Sequence, residues 1–197
     1  MKHLKGLKEY LDDHYEQAVL EQARTSGREW VFHLHGDRMV KSAAFHTEPY
    51  ELIFEPHGRE PETVHKTELK FFYPQEYEAA VFKALKRDAT IPSQGLGPYY
   101  YTGDRFFVKN KSLYPLMLDR EVVFATLLEG EILRGVISGF NRYEISLYLK
   151  GGVPVTFLRH ALAALRNKKG RSFLKMVQER TRDWKKSAYY TDKASSH

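Results

Sequence analysis

Arg142, Tyr143, Arg159 and His160 are the side-chain types that a flexible polyanion calls for. A phenol ring such as that of Tyr143 can stack on an exposed base, an interaction whose removal costs about 1–3 kcal/mol. A neighbouring guanidinium can take a phosphate and release its counterions. An imidazole can donate or accept at a base edge or a sugar hydroxyl. A reduced version of the set stands upstream as Tyr50 and Lys66. There Thr67 replaces the histidine, and His65 comes one position early, on the opposite side of an extended chain. Each residue also has a plainer use: Tyr143 can be core, and His160 can close a turn with one buried hydrogen bond.

Other chemistries find less support. Seven of the nine histidines precede residue 66. His33 and His35 share a strand face and Asp12-Asp13-His14 falls on a predicted helix, but no third metal ligand follows at a suitable spacing. The chain lacks the common phosphate-cradling glycine loops, His-Glu-x-x-His and Gly-x-Ser-x-Gly. It has no cysteine, which removes disulfides and thiolate metal sites. Neither catalysis nor a cofactor is expected.

The elements that would position these residues alternate helix and strand. Helical spacing covers 3–25 and 75–87. Short strands are predicted at 30–34, 42–45, 50–54, 63–64 and 69–73, with Pro74 stopping the last. Ile91 to Pro98 reads as a linker and leads into Tyr99, Tyr100 and Tyr101, residues suited to packing it down or to stacking. Gly130 to Leu162 alternates apolar and polar residues around glycines, the pattern of sharply bent antiparallel strands. From Gly170 the spacing of Phe173, Val177, Arg180 and Trp184 predicts an amphipathic basic helix. The chain also repeats itself at an offset of 93: Tyr50, Glu51, Gly58, Pro61, Thr63 and Leu69 recur as Tyr143, Glu144, Gly151, Pro154, Thr156 and Leu162. Upstream the alignment slips by one, placing Leu34 over Leu128 and Gly36 over Gly130. The division implied is a first β unit over 1–90, a linker over 91–111, a second β unit over 112–167 and a basic tail over 168–197.

The net charge is +6, and Arg159 to Lys186 carries ten Lys/Arg against Glu179 and Asp183. A basic segment on a near-neutral body is the footprint of a polyanion binder, with Lys168, Lys169, Arg171, Lys185 and Lys186 as its nonspecific contacts. No apolar run is long enough to span a bilayer or serve as a signal peptide, so a cytoplasmic protein is expected.

The second unit resembles the Sm-like family of RNA-binding proteins in its Hfq branch. Gly130, Gly135, Phe140 and Tyr143 stand at the spacings of that family's first motif. Leu158-Arg159-His160-Ala161-Leu162 resembles its second, after a loop about two residues longer. The resemblance implies a helix capping a strongly curved five-stranded barrel, two such barrels in this chain, and an RNA chaperone or post-transcriptional regulator. It also implies that Tyr143 stacks a uracil beside Arg142, with Arg159 and His160 completing the site. Arg159 stands for the usual lysine and Arg142 for a frequent glutamine. Thr126 and Ile132 depart from the residues that form an adenine site on the family's opposite face. Because the family forms six-unit rings, three chains of two units each would make one. The alternatives are a scaffold that binds proteins, and DNA binding through the basic tail.

Overall fold

The computed structural model describes residues 4–56, 58 and 60–176. They form a mixed α+β fold. In chain order the first half holds α1 (Leu7–His14), α2 (Val19–Thr25), β1 (Trp30–Leu34), β2 (Met39–Ser42), β3 (Phe45–Thr47), β4 (Glu51–Phe54), β5 (Glu62–His65) and β6 (Leu69–Pro74). Next come α3 (Glu78–Ala84), β7 (Lys86–Arg87), β8 (Phe106–Val108) and α4 (Asn110–Leu118). The second half holds β9 (Val122–Leu127), β10 (Glu131–Phe140), β11 (Glu144–Leu149), β12 (Pro154–Leu158), β13 (Leu162–Asn167) and β14 (Leu174–Met176). A nine-stranded antiparallel sheet runs β13-β9-β10-β11-β12-β6-β1-β2, with β7 added to β10; β3-β4-β5 and β14-β8 form smaller sheets. Among the described residues this path does not close on itself, so the two expected barrels are absent as closed objects.

The offset of 93 governs the backbone more strictly than the side chains. Trp30↔Ser42 recurs as Val123↔Gly135, Leu52↔Val64 as Ile145↔Phe157, and Leu34↔Leu69 as Leu127↔Leu162. The bulge that skips Lys70 recurs at Ala163. Three-residue 3-10 turns stand at Lys66–Glu68 and Arg159–Ala161. The offset does not slip upstream: His33↔Met39 and Thr126↔Ile132 are also 93 apart. Asp37, not Gly36, stands opposite Gly130, and both are left-handed, at φ 54° and 93°. Aspartate tolerates that region, so the matching glycine was unnecessary. A Cβ on Gly130 would in addition lie 2.5 Å from the Asp88 carbonyl oxygen, and one on Gly135 2.5 Å from that of Tyr148.

The two halves meet edge to edge, β12 pairing with β6 through Thr156↔Phe72 and Phe157↔Phe71. All six residues of β6 are buried, because both of its faces are covered. Period-two alternation sends Phe32, Leu34, Leu69 and Phe72 into the first repeat's core. It sends Val31, Phe71 and Tyr73 into the same cluster as Ile145, Leu147 and Phe157 of the second. Each such side chain contributes about 1.5–3 kcal/mol by leaving water. Beside this seam Lys70 is only 1% exposed, and its ammonium donates to the carboxylates of Glu129 and Glu131. Gly36 N–H donates to Glu129 as well, at 2.7 Å.

The outer edges are treated differently. Leu165, the counterpart of Phe72, accepts a hydrogen bond from Phe173 N–H at 2.9 Å, and Asn167 N–H donates to the Arg171 carbonyl at 3.1 Å. Residues 171–173 thus occupy on β13 the place that β12 occupies on β6. The free side of β5, the counterpart of β12, pairs with no other described strand.

Several sequence expectations change. The helix over 3–25 is two helices broken at 15–18, and the strand over 42–45 is interrupted between β2 and β3. Ser42 Oγ bonds the Ala44 carbonyl there, at 2.5 Å. The linker over 91–111 contains β8 and the start of α4. Of the basic helix expected from Gly170, only 170–176 fall among the described residues, and there Leu174–Met176 is a strand on β8, because Phe106 to Val108 offer it a free edge. Val177 to His197, with Lys185 and Lys186, lie outside the described residues.

Lys70→Ala should lower unfolding free energy by about 3–5 kcal/mol in urea titrations, since it strands two carboxylates at the seam. Lys70→Met combined with Glu131→Leu should cost less than Lys70→Ala alone. Phe173→Pro removes the N–H that covers Leu165; light scattering should then show mass rising with concentration.

Candidate nucleic-acid interface

The turn between β10 and β11 is built by Asn141 and Glu144. Asn141 Oδ1 accepts from the N–H groups of Tyr143 and Glu144, both at 2.8 Å, an arrangement that mimics a backbone turn. The Glu144 carboxylate is buried and accepts from Val19 N–H at 2.6 Å and Leu20 N–H at 3.0 Å. It therefore caps α2, the lead-in helix of the other repeat. Burial pushes the Glu144 carboxyl up, against the hydrogen bonds from Asn141, Leu20 and Val19. This framework holds Tyr143 58% exposed, with the Arg142 guanidinium 5.3 Å from its ring centre. Arg142 also reaches Glu16, at 3.7 Å.

Arg159 and His160 do not join that surface. Arg159 N–H donates to the Tyr143 carbonyl at 2.8 Å, but its side chain turns inward. The guanidinium donates to the Val108 carbonyl at 3.3 Å and to Asn110 Oδ1 at 2.9 Å, and lies 5.7 Å from the Phe140 ring centre. Burial lowers it to about 10, so it stays protonated at neutral pH. His160 Nε2 stands 2.9 Å from the Leu69 carbonyl, across the seam. A carbonyl only accepts, so Nε2 carries the proton. Burial lowers His160 to about 4, and the ring is neutral at pH 7. The expected four-residue site is therefore divided: Arg142 and Tyr143 face solvent, while Arg159 and His160 clamp the linker and the first repeat.

The first repeat presents more aromatic surface than its residue types suggested. Tyr50 is 73% exposed, and its carbonyl accepts from Lys66 N–H at 2.8 Å, as Tyr143 does from Arg159. His65 does not point away. Its Nδ1 accepts from Thr67 N–H at 3.2 Å, capping the 3-10 turn, and this swings the imidazole parallel to Tyr50 at 6.4 Å between ring centres. Tyr100 from the linker meets His65 edge to face at 5.1 Å between ring centres and is 54% exposed. Tyr50, His65 and Tyr100 make one row. The contact of Tyr100 spans 35 residues and had no sequence signal beyond its triplet of tyrosines. Lys66 is half-buried; burial pulls its ammonium down, with Glu21 and Glu48 acting the other way. Lys168, Lys169 and Arg171 are exposed on a turn organised by Asn167 Oδ1, which accepts from Lys169 N–H and Arg171 N–H.

The two histidines weighed as a strand-borne metal pair are otherwise engaged. His33 Nε2 bonds the Tyr73 hydroxyl at 2.9 Å, and His35 Nδ1 is 3.6 Å from Glu129. Asp37, Glu129 and Glu131 offer carboxylate oxygens within 4.8 Å of one another. Lys70 and Arg87 already supply cations to that cluster.

Burial lowers three imidazoles, His33, His35 and His160, and this sets a pH dependence. Burial takes His33 and His160 to about 4, whereas the unfolded chain titrates them near 6.5. Between those values the unfolded state binds more protons, so this stability is complete above 6.5 and lost as pH falls toward 4. Thermal midpoints should be level above about pH 7 and decline from 6.5 downward. His160→Gln should flatten the decline above about pH 5; an unchanged slope would place the titrating group elsewhere.

No protein-family model, no curated protein and no solved structure matches this chain.

Proposed function

We propose that the chain is a tandem pair of Sm-like units that binds single-stranded, U-rich RNA in the manner of an RNA chaperone or post-transcriptional regulator. The observation that carries this reading is the recurrence of one exposed tyrosine at one turn in both repeats. Tyr50 and Tyr143 are each held by the N–H of a basic residue that opens a 3-10 turn. Nothing in a core needs an exposed phenol at both places. Each unit supplies a helix and a bent run of strands, and the units join through an edge pair, as the resemblance implies. Bases would stack on Tyr143 beside Arg142, and on Tyr50 beside His65 and Tyr100. Lys168, Lys169 and Arg171 would add sequence-independent attraction.

The ring of three chains is constrained by the strand edges. A closing contact between β5 and β13 of different chains would have to displace residues 171–173. The open side of β5 favours a second reading, a scaffold that takes a strand from another protein. Duplex DNA binding through the basic segment is the third.

Fluorescence anisotropy with oligo-U, oligo-A and duplex DNA across a salt series separates them. Tyr50→Ala and Tyr143→Ala should each weaken oligo-U binding by about 1–3 kcal/mol, and Arg142→Gln should reduce the salt slope. Parental affinity in both tyrosine variants would remove the site. Tighter binding of duplex than of oligo-U would favour the third reading.

A further inference from the structure

The sheet of the second repeat has an outer face that the turn tyrosines do not share. Strand register places Arg166, Phe124 and Arg134 in one row across β13, β9 and β10. The next row is Val122, Val136, Tyr148 and Pro154, across β9, β10, β11 and β12. Between these rows lies a groove of about 530 Å³, lined by Val122, Arg134, Val136, Tyr148 and Lys150 among others. Tyr148 is 50% exposed, and Arg134, Lys150 and Arg166 are exposed as well. Arg134 lies 5.6 Å from the centre of the Phe124 ring, which pre-positions the guanidinium beside the groove. Among the described residues neither Arg134 nor Lys150 forms an ion pair, while Arg166 acts on the Asp88 carboxylate.

The fold does not require this arrangement, and the first repeat demonstrates it. At the same backbone positions Arg134 is replaced by Lys41, Tyr148 by Glu55 and Arg166 by Tyr73. Lys41 is neutralised by Glu78 of α3 at 2.7 Å, Glu55 faces His46 at 3.1 Å, and Tyr73 is buried. One strand plan thus carries a neutralised face in one repeat and, in the other, an aromatic plate flanked by Arg134 and Lys150 without counter-charges.

We infer that this groove is a second contact site for single-stranded nucleic acid, with a base against Tyr148 and the flanking phosphates on Arg134 and Lys150. The inference rests on the reading of the chain as a binder of single strands, and it concerns a different face. Apolar walls with cations at the rim suit a nucleotide, which has an apolar plane and an anionic edge. A purely acidic peptide would use the cations and leave Val122, Val136 and Tyr148 without a partner. Arg166 extends the basic row toward Lys168 and Lys169, giving the backbone a path off the groove.

Photo-crosslinking of a 4-thiouridine oligomer to the full chain, with the crosslinked residue assigned by fragment sequencing because Tyr143 and Tyr148 share one tryptic peptide, tests the placement. Crosslinks at Tyr148, lost in Tyr148→Ala, are expected. Arg134→Gln combined with Lys150→Gln should weaken a long oligo-U by about ten-fold and reduce the salt slope by roughly 1.4, with the thermal midpoint unchanged. Crosslinks confined to the residues Tyr50 and Tyr143, with parental affinity in Arg134→Gln/Lys150→Gln, would overturn the groove and leave the turn sites standing. Crosslinks at Tyr148 alone would support the groove and remove the turn sites. Competition by polyglutamate as strong as by oligo-U, and indifferent to Tyr148→Ala, would overturn it in favour of an acidic protein partner. Absence of both crosslinking and binding would overturn both.

Discussion

The pairing of β12 with β6 is the contact on which the molecule depends. Backbone donors and acceptors at a strand edge need partners, and these two edges satisfy each other inside one chain. Once they are joined, β6 is covered on both faces, and every residue in it except Lys70 is apolar or aromatic. Lys70, expelled from the ladder by its bulge, must find its counter-charges on the far side of the seam, at Glu129 and Glu131. His160 reaches the Leu69 carbonyl for the same reason. The seam is a hydrophobic joint with a small polar lock beside it, and the lock is costly to leave half-made.

Two copies of one backbone plan have acquired different surfaces. The strand registers agree residue for residue across most of the repeat, yet Glu55 and Tyr148, or Lys66 and Arg159, meet different surroundings. A side chain in this fold answers to what lies on the neighbouring unit, and the two neighbours are not alike. Arg159 finds the end of β8 and the start of α4 and turns in; Lys66 finds Glu21 and Glu48 and stays near the surface. Division of labour between the repeats needs no change in the path of the chain.

How much of this was legible in the sequence depended on how local the cause was. Strands β1, β4, β5 and β6 and the repeat were readable because alternation, turn residues and Pro74 act within a few positions. The turn at Asp37 was misaligned because identity of residue type was taken for identity of conformation. The strand at Leu174–Met176 was hidden because the choice there is made by an edge almost seventy residues away. The directions of Arg159 and His160 were equally hidden, since Asn110 and Leu69 decide them. The exposure of Tyr143 was legible because it follows from a turn encoded next to it, at Asn141.

The cap that Glu144 places on α2 has a consequence for how the molecule can be taken apart. The lead-in of one repeat is fastened to the turn of the other, so the boundary drawn along the sequence and the boundary drawn through space do not coincide. A cut in the linker would yield two pieces, each lacking something the other holds. Such halves are suited to reassemble on mixing, as complementary fragments of one object rather than as two modules.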